Sequence, residues 1–333
     1  MVRIERQPNT EYILSLSYGK DSIACLFAIE QLGWPLDRIV HAEVWATDTI
    51  HADLPPMVEF KAKADAIIKE RWGIEVEHVC AMRDGKKLTY EDLFYHVPVK
   101  KCKSGGGYLG FPMVRGNWCT SNLKRPALRM ASSNRKLVQE TQTSLCTDGR
   151  RRLAAGARSS NSGNEETFSS TRRGQGAGTN TVQYLGIAAD EPERIARHTK
   201  PGYMLPLVEI GWIEGYCREL CEKNGLLSPI YTSATRGGCW FCHNQGVDQL
   251  RLLRRNYPEY WALMLKWDND SPVSFKPDGH TVHDYDARFE AEDAGLIDPN
   301  ERFKWDMIGR KIVKPRTELL GQISIDELIQ IPL

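Results

Sequence analysis

A polar loop with the residue types of an anion site lies between two apolar segments near the start of the chain. The stretch ILSLSYGKDSIACLF, residues 13–27, places the loop SYGKDS between a short apolar strand and an apolar helix pattern. Backbone N–H groups and the positive end of the helix dipole would then point at one spot. Gly19 would permit the tight turn, Lys20 would add a charge in a solvent-facing loop, and the Ser17 and Ser22 hydroxyls could donate to phosphate oxygens. The pattern predicts a phosphate site, and an ordinary turn capped by serine or aspartate is the alternative.

A pair of cysteines with the spacing of a metal knuckle forms a second group. Cys239 and Cys242 stand in GGCWFCH, where the glycines would let the backbone turn so that both sulfurs face one point. Zinc ribbons and iron–sulfur sites need this arrangement, and a redox pair is the alternative. His243 follows as a nitrogen ligand that would favour zinc. Other cysteines lie on predicted helix or strand faces and are expected in the core: Cys25, Cys80, Cys217 and Cys221.

Alternating strand and helix patterns surround the loop. YILSLS, RIVHAEVWATD and IEVEHVCA are typical of buried strands, and the two helix patterns between them end at Gly33 and Gly73. This order predicts an α/β fold, a Rossmann-like parallel sheet with helices on both faces, whose ligands bind beyond the carboxyl ends of the strands. Asp48, at the end of the second predicted strand, could lie beside a ribose or a magnesium ion, or could cap the following turn.

Several segments in order resemble one known family. SYGKDS resembles the PP-loop, S-G-G-K-D-S, of the adenine nucleotide alpha hydrolase superfamily, with Tyr18 in place of the second residue, a glycine. Three later segments are similar to the phosphoadenosine phosphosulfate reductase family: NWCTSNLKRPAL, LGIAADEPERIAR, and the run 204–242 with its Pro-x-Tyr and C-x-x-C. The resemblance covers roughly residues 10 to 245 and implies a HUP-type domain, residues 1–245, that binds ATP or a related adenine nucleotide, with magnesium as a further cofactor. The implied nucleotide-binding residues are Ser17, Tyr18, Gly19, Lys20, Asp21, Ser22 and Asp48.

The resemblance also implies a reaction class. Reductases of this family use a cysteine near the C-terminus, whereas no cysteine follows Cys242 in this chain. The sequence is nearer to ATP-using relatives, such as DNA phosphorothioation proteins, that adenylate a substrate oxygen before sulfur replaces it. Lys20, Lys124, Arg125 and Arg236 would then hold the anionic groups.

Two other functions stay open for such a chain. One is a sulfonucleotide reductase that takes its thiol from a partner. The other is a noncatalytic nucleotide- and metal-binding subunit of a nucleic-acid modification complex. The expected partners are an adenine nucleotide, a sulfur-donor protein and a nucleic acid as acceptor.

The resemblance extends the cysteine pair to a metal site. It places Cys119 beside Cys239 and Cys242, and Cys102, seventeen positions before Cys119, is the candidate for the fourth ligand. Four thiolates suit a four-iron four-sulfur cluster or zinc. The alternative for Cys102 and Cys119 is that they are unpaired thiols.

Composition restricts the remaining choices. The formal net charge of +1 gives no global attraction to nucleic acid or membrane. No apolar run approaches the roughly 20 residues of a membrane span, and the first residues lack the apolar core of a signal peptide, which predicts a cytoplasmic protein without membrane contact.

The second half of the chain contains two segments of different character. Residues 131–180 are rich in Ser, Thr, Asn, Gly and Arg, which predicts a mobile insertion. Its arginines could contact phosphates of a nucleic acid, although a solvated linker is the favoured interpretation. The amphipathic pattern in residues 246–333 predicts a helical C-terminal region, with a helix broken at Pro258.

Overall fold

The computed structural model describes residues 4–97, 108–112, 118–129, 131, 180–233, 238–300 and 304–305. Residues 132–179 of the predicted insertion lie outside the described residues. The same holds for two predicted site residues, Cys102 and Arg236.

A parallel sheet forms the centre of the fold and confirms the predicted α/β class. Five strands run in the order β3-β2-β1-β6-β7, every neighbouring pair is parallel, and β4 and β5 form a separate antiparallel pair. The strands are β1 (Thr10–Ser15), β2 (Arg38–Glu43), β3 (Val76–Cys80), β4 (Met82–Arg83), β5 (Lys86–Lys87), β6 (Asn180–Tyr184) and β7 (Tyr203–Met204).

Two long helices connect the first three strands and end where the sequence predicts. α1 (Lys20–Leu32) ends at Gly33, with φ 65°, and α2 (Pro55–Trp72) ends at Gly73, with φ 69°. Only glycine adopts this left-handed conformation without steric cost, so each glycine stops its helix. The other helices are α3 (Tyr90–Phe94), a π-helical segment (Thr120–Lys124), α4 (Pro192–His198), α5 (Pro206–Ile210), α6 (Glu214–Lys223), α7 (Ile230–Ser233), α8 (Val247–Asn256), α9 (Pro258–Asp270) and α10 (Val282–Asp293).

Alternation along the strands gives the sheet two covered faces. Leu14 belongs to the apolar core that includes residues of α1, α2 and α6. The neighbouring Ile13 packs on the opposite face with Val40, Leu128 and Ala131. Successive strand residues point to opposite faces, so helical residues cover both sides of the sheet.

The C-terminal helices share a core with residues that follow β2 and β3. Trp240 and Trp267 stack at 5.8 Å, and Tyr90 lies 5.2 Å from Trp267. Pro258 starts α9 directly after α8, as the sequence predicts, and residues 246–300 contain no strand. The helical region therefore packs against the carboxyl-end side of the α/β domain.

No helix in the described ranges has both the length and the apolar character that crossing a bilayer requires.

Candidate functional site

A cavity of about 470 Å³ opens at the carboxyl ends of β1 and β2. Four residues of the predicted phosphate loop line it, and the resembled cysteine segments contribute to the same wall. The residues of these two groups are Ser17, Gly19, Asp21, Ser22, Lys124 and Cys239. α8 adds Gln249, so the helical region also contributes to the enclosure.

The loop turns at a different residue from the one that the sequence predicts. Gly19 has φ −76° and starts α1, whereas Tyr18 has the left-handed φ of 56°. The expectation that Gly19 permits the turn is therefore wrong. Its lack of a side chain matters in another way, because a Cβ there would lie 3.3 Å from the Tyr231 hydroxyl.

Hydroxyl groups hold the loop together from within. The Ser22 hydroxyl donates to the Gly19 carbonyl at 2.9 Å, and it accepts hydrogen bonds from the Ser17 amide at 3.2 Å and the Ser17 hydroxyl at 3.0 Å. Tyr231, from the resembled Pro-x-Tyr, accepts a hydrogen bond from the Lys20 amide at 3.0 Å. No side chain caps the start of α1, so the capped-turn alternative is not what forms.

The start of α1 presents backbone donors to the cavity. Within the described residues, the amides of Gly19, Asp21 and Ser22 have no acceptor, as expected for the first turn of a helix. Gly186, from LGIAADEPERIAR, packs against this turn so closely that a Cβ would lie 2.6 Å from the Ser22 Cα. Unbonded amides and the helix dipole at one point favour a bound anion.

Lys20 does not face solvent, which corrects the sequence-based expectation. Its side chain is 13% exposed, and its ammonium lies 2.9 Å from Asp21 and 3.1 Å from Glu214. Burial alone would lower the pKa of Lys20, but these two carboxylates outweigh it and raise the pKa. Burial raises the pKa of Asp21 despite the nearby ammonium. Lys20 is thus a cation already held by two acids beside the loop.

A third carboxylate completes this acidic group. Oxygens of Asp21, Glu191 and Glu214 lie within 4.8 Å of one another. Arg194 donates to Glu191 at 2.7 Å and also lines the cavity. Magnesium binding near the loop stays a prediction.

Three residues that sequence reasoning missed form a buried chain along the cavity wall. His41 donates from Nδ1 to the Leu16 carbonyl at 2.8 Å, so its Nε2 accepts a hydrogen bond from Lys61 at 2.8 Å. The Lys61 ammonium also donates to Asp53 at 2.6 Å. Burial, assisted by the Lys61 charge, lowers the pKa of His41 to about 4, so the imidazole is neutral at pH 7. All three residues line the cavity.

A periodic signal could have identified Lys61. It lies on the same buried stripe of α2 as Met57, Ala64 and Ile68. A lysine at such a position needs a buried partner or a ligand, because an isolated ammonium is costly to desolvate.

Lys124 and Cys239 both line the cavity. Lys124 ends the π-helical segment and Cys119 immediately precedes it. Cys239 foremost, and also Cys119, Asp53 and Cys242, raise the pKa of Lys124. Burial raises the pKa of Cys239 to about 12, so this thiol is protonated when no metal is bound.

The cysteine knuckle has the turn that its glycines predict. Gly238 has φ 133°, the Cys242 amide donates to the Cys239 carbonyl at 3.0 Å, and the Gln245 side chain donates to the same carbonyl at 2.9 Å. Among the described residues, no three sulfurs all lie within 4.8 Å of one another. Zinc would hold its sulfurs roughly 3.8 Å apart, given a zinc–sulfur distance of about 2.3 Å. The described thiols therefore do not form a preformed zinc site, and the choice between zinc and a cluster stays a prediction.

Among the predicted site residues that the structure describes, six do not line the cavity: Tyr18, Lys20, Asp48, Arg125, Cys119 and Cys242. Arg125 is exposed and Asp48 is exposed, and neither lines the cavity. The turn that follows β2 is capped by the Thr47 hydroxyl, which accepts from the Ile50 amide at 3.2 Å. The Asp48 carbonyl instead accepts from Lys87 at 2.7 Å.

Comparison of the chain with models of known protein families, with curated proteins and with solved structures found no match. The assignment of a function to this cavity therefore depends on its own geometry and chemistry.

Proposed function

We propose that the protein is an ATP pyrophosphatase-type transferase of the phosphoadenosine phosphosulfate reductase type, which adenylates an acceptor oxygen and lets sulfur replace it. The observation that carries the proposal is one cavity that joins the loop 17–22 to Lys124 and Cys239. An adenine nucleotide bound with its phosphates on the loop would lie within reach of a second group of cationic and thiol side chains.

The loop end of the cavity suits the phosphates. Unbonded amides of Gly19, Asp21 and Ser22 and the dipole of α1 attract negative charge. Lys20 offsets the carboxylates of Asp21 and Glu214, which would otherwise repel an anion. This combination favours a polyanionic ligand over a neutral one.

The proposed reaction has two displacements. An acceptor oxygen attacks the α-phosphorus of ATP, the bond to the bridging oxygen breaks, and pyrophosphate leaves with the electron pair. A sulfur nucleophile from a donor then attacks the acceptor atom that carries the adenylylated oxygen, the bond between that atom and the oxygen breaks, and AMP leaves with the oxygen and the electron pair. The loop amides and Lys20 stabilise the charge that develops on pyrophosphate, and Lys124 faces the region where the adenylylated acceptor would lie.

The thiols have a separate part in the proposal. Cys119, Cys239 and Cys242, with Cys102 as the fourth ligand, would hold an iron–sulfur cluster, whose bound form supplies a sulfur- and electron-rich centre beside the acceptor. Burial raises the pKa of the Cys239 thiol, so metal binding at this residue must release a proton.

Incubation of the purified protein with labelled ATP tests the proposal. We expect release of AMP and pyrophosphate when the acceptor is present. Sulfite release from phosphoadenylyl sulfate with an added thiol would instead indicate the reductase, and nucleotide binding without turnover would indicate the noncatalytic subunit.

A matched pair of substitutions connects the activity to the cavity. Lys124→Gln removes the ammonium from the cavity wall and should lower turnover by about 10²-fold if it stabilises transition-state charge. Arg129→Gln removes an exposed cation from the same helical stretch, outside the cavity, and should leave turnover unchanged. Equal activity of both variants would contradict the assignment of the reaction to this cavity.

A further inference from the structure

Tyr18 occupies an unusual backbone conformation in the phosphate loop. Its φ of 56° lies in the left-handed region, where the resembled loop carries a glycine. Its side chain is fully buried, with no exposed surface. A non-glycine residue in this region is strained, and the strain persists only when surrounding contacts fix the conformation.

Hydrogen bonds beneath the loop supply those contacts. The Tyr18 hydroxyl donates to Asp65 of α2 and lies 3.0 Å from Nε2 of His78 in β3. His78 in turn contacts Asp65 at 2.9 Å and Glu43 of β2 at 2.8 Å. One loop side chain is therefore tied to a helix and, through His78, to two strands.

Ring contacts add a second set of restraints. The Tyr18 ring meets the His41 ring edge-on at 4.8 Å, and the Lys61 ammonium lies 5.3 Å from its centroid. His41 and Lys61 both line the cavity, whereas Tyr18 does not. The tyrosine ring therefore lies behind the cavity wall and can act on a ligand only through the residues in front of it.

We propose that Tyr18 is a positioning residue that holds the backbone of loop 17–22 in its anion-binding conformation before any ligand arrives. This inference rests on the proposed nucleotide site and extends it. A glycine at this position could adopt the same φ, but it would also adopt many other conformations. Glycine therefore has the largest conformational entropy to lose when the loop is ordered. The buried tyrosine orders the loop during folding, so less entropy is lost when phosphate binds.

Two substitutions of Tyr18 separate ring, hydroxyl and backbone effects. Tyr18→Gly restores the residue of the resembled loop and removes the side chain, and Tyr18→Phe keeps the ring but loses the bond to Asp65. Tyr184→Phe is the matched control. Tyr184 is equally buried, lies in β6 next to β1, and donates a hydrogen bond to the Pro35 carbonyl at 2.7 Å. All three variants lose a hydrogen bond of a buried tyrosine hydroxyl, but only the two substitutions of Tyr18 act on the loop.

Hydrogen exchange of the nucleotide-free protein and ATP calorimetry give the two readouts. We expect faster exchange across residues 17–22 in Tyr18→Gly, with a smaller effect in Tyr18→Phe and none in Tyr184→Phe. The affinity of Tyr18→Gly for ATP should fall about tenfold, the cost of ordering roughly one further backbone residue.

The outcomes are decisive in both directions. Wild-type exchange in Tyr18→Gly, or faster exchange with unchanged ATP affinity, would overturn the positioning role. Should Tyr18→Gly fail to fold, the same comparison between Tyr18→Phe and Tyr184→Phe decides. A wild-type protein that binds no ATP would reject the proposed function, whereas the exchange result would still decide whether the tyrosine orders the loop.

Discussion

Gly186 provides the sharpest test of the loop's position. An alanine Cβ there would lie 2.6 Å from the Ser22 Cα, 2.7 Å from the Ser22 nitrogen and 2.8 Å from the Asp21 carbonyl carbon. All three are backbone atoms, so no side chain can rotate away. Ordinary contact begins at 3.4 Å, so α1 and the segment that follows β6 must separate locally by about 0.8 Å in an interior packed without spare space.

The expected consequences of Gly186→Ala follow from that displacement. Overpacking of this kind lowers the free energy of unfolding by about 1–3 kcal/mol. A shift near 1 Å at a positioning group lowers turnover by about 10²-fold, because the loop amides no longer meet the phosphates correctly. Thermal unfolding measures the loss of stability, and AMP release from labelled ATP measures the loss of turnover.

Gly215→Ala is the control for Gly186→Ala. Gly215 lies in α6 with no atom within 4 Å of an added Cβ and no positive φ. The substitution should stabilise the helix by about 0.5–1 kcal/mol and leave nucleotide binding unchanged. Wild-type stability and turnover in Gly186→Ala would refute the close packing of the segment after β6 against the start of α1.

Three further predictions concern the loop cation, the buried network and the thiols. Lys20→Ala should weaken ATP binding by about tenfold or more in calorimetry, because the carboxylates that it neutralises would then repel phosphate; unchanged affinity would contradict the phosphate site. Hydrogen bonds to two carboxylates raise the pKa of His78 from 6.5 to about 9. Its stabilisation is therefore complete below pH 6.5 and is lost as the pH rises to about 9, with a loss of at most about 3 kcal/mol that His78→Gln should abolish in unfolding experiments. Anaerobically purified Cys239→Ser should contain much less iron or zinc than the wild type, whereas Cys80→Ser should not, and protein without either metal would refute the ligand assignment.

The sheet and its connecting helices could be predicted from the sequence because the patterns that indicate them are local. Alternating apolar segments give the parallel sheet, and Gly33 and Gly73 end their helices because each takes a left-handed conformation. The position of the loop at the carboxyl edge follows from strand order alone. These features depend on short stretches of chain and are read directly from them.

Features that depend on distant partners could not be predicted in this way. The pairing of Lys20 with Glu214 joins residues far apart in the chain, and no periodicity indicates it. Tyr18 violates the rule that a left-handed turn takes glycine, because buried partners in α2 and β3 outweigh the local preference. Arg125 has the residue type of an anion ligand, but its place on the helix directs it away from the cavity.

The shared aromatic core has a consequence for how the chain can be divided. Trp240 and Phe241 lie between the two cysteines of the knuckle, and their rings pack with Trp267 of α9 at centroid distances of 5.8 Å and 5.6 Å. A fragment that stops at residue 245 would keep the knuckle but lose the rings that cover it, and would present a large apolar surface to water. The helical region and the α/β domain therefore share one core, and we expect neither to keep its structure when the chain is divided between them.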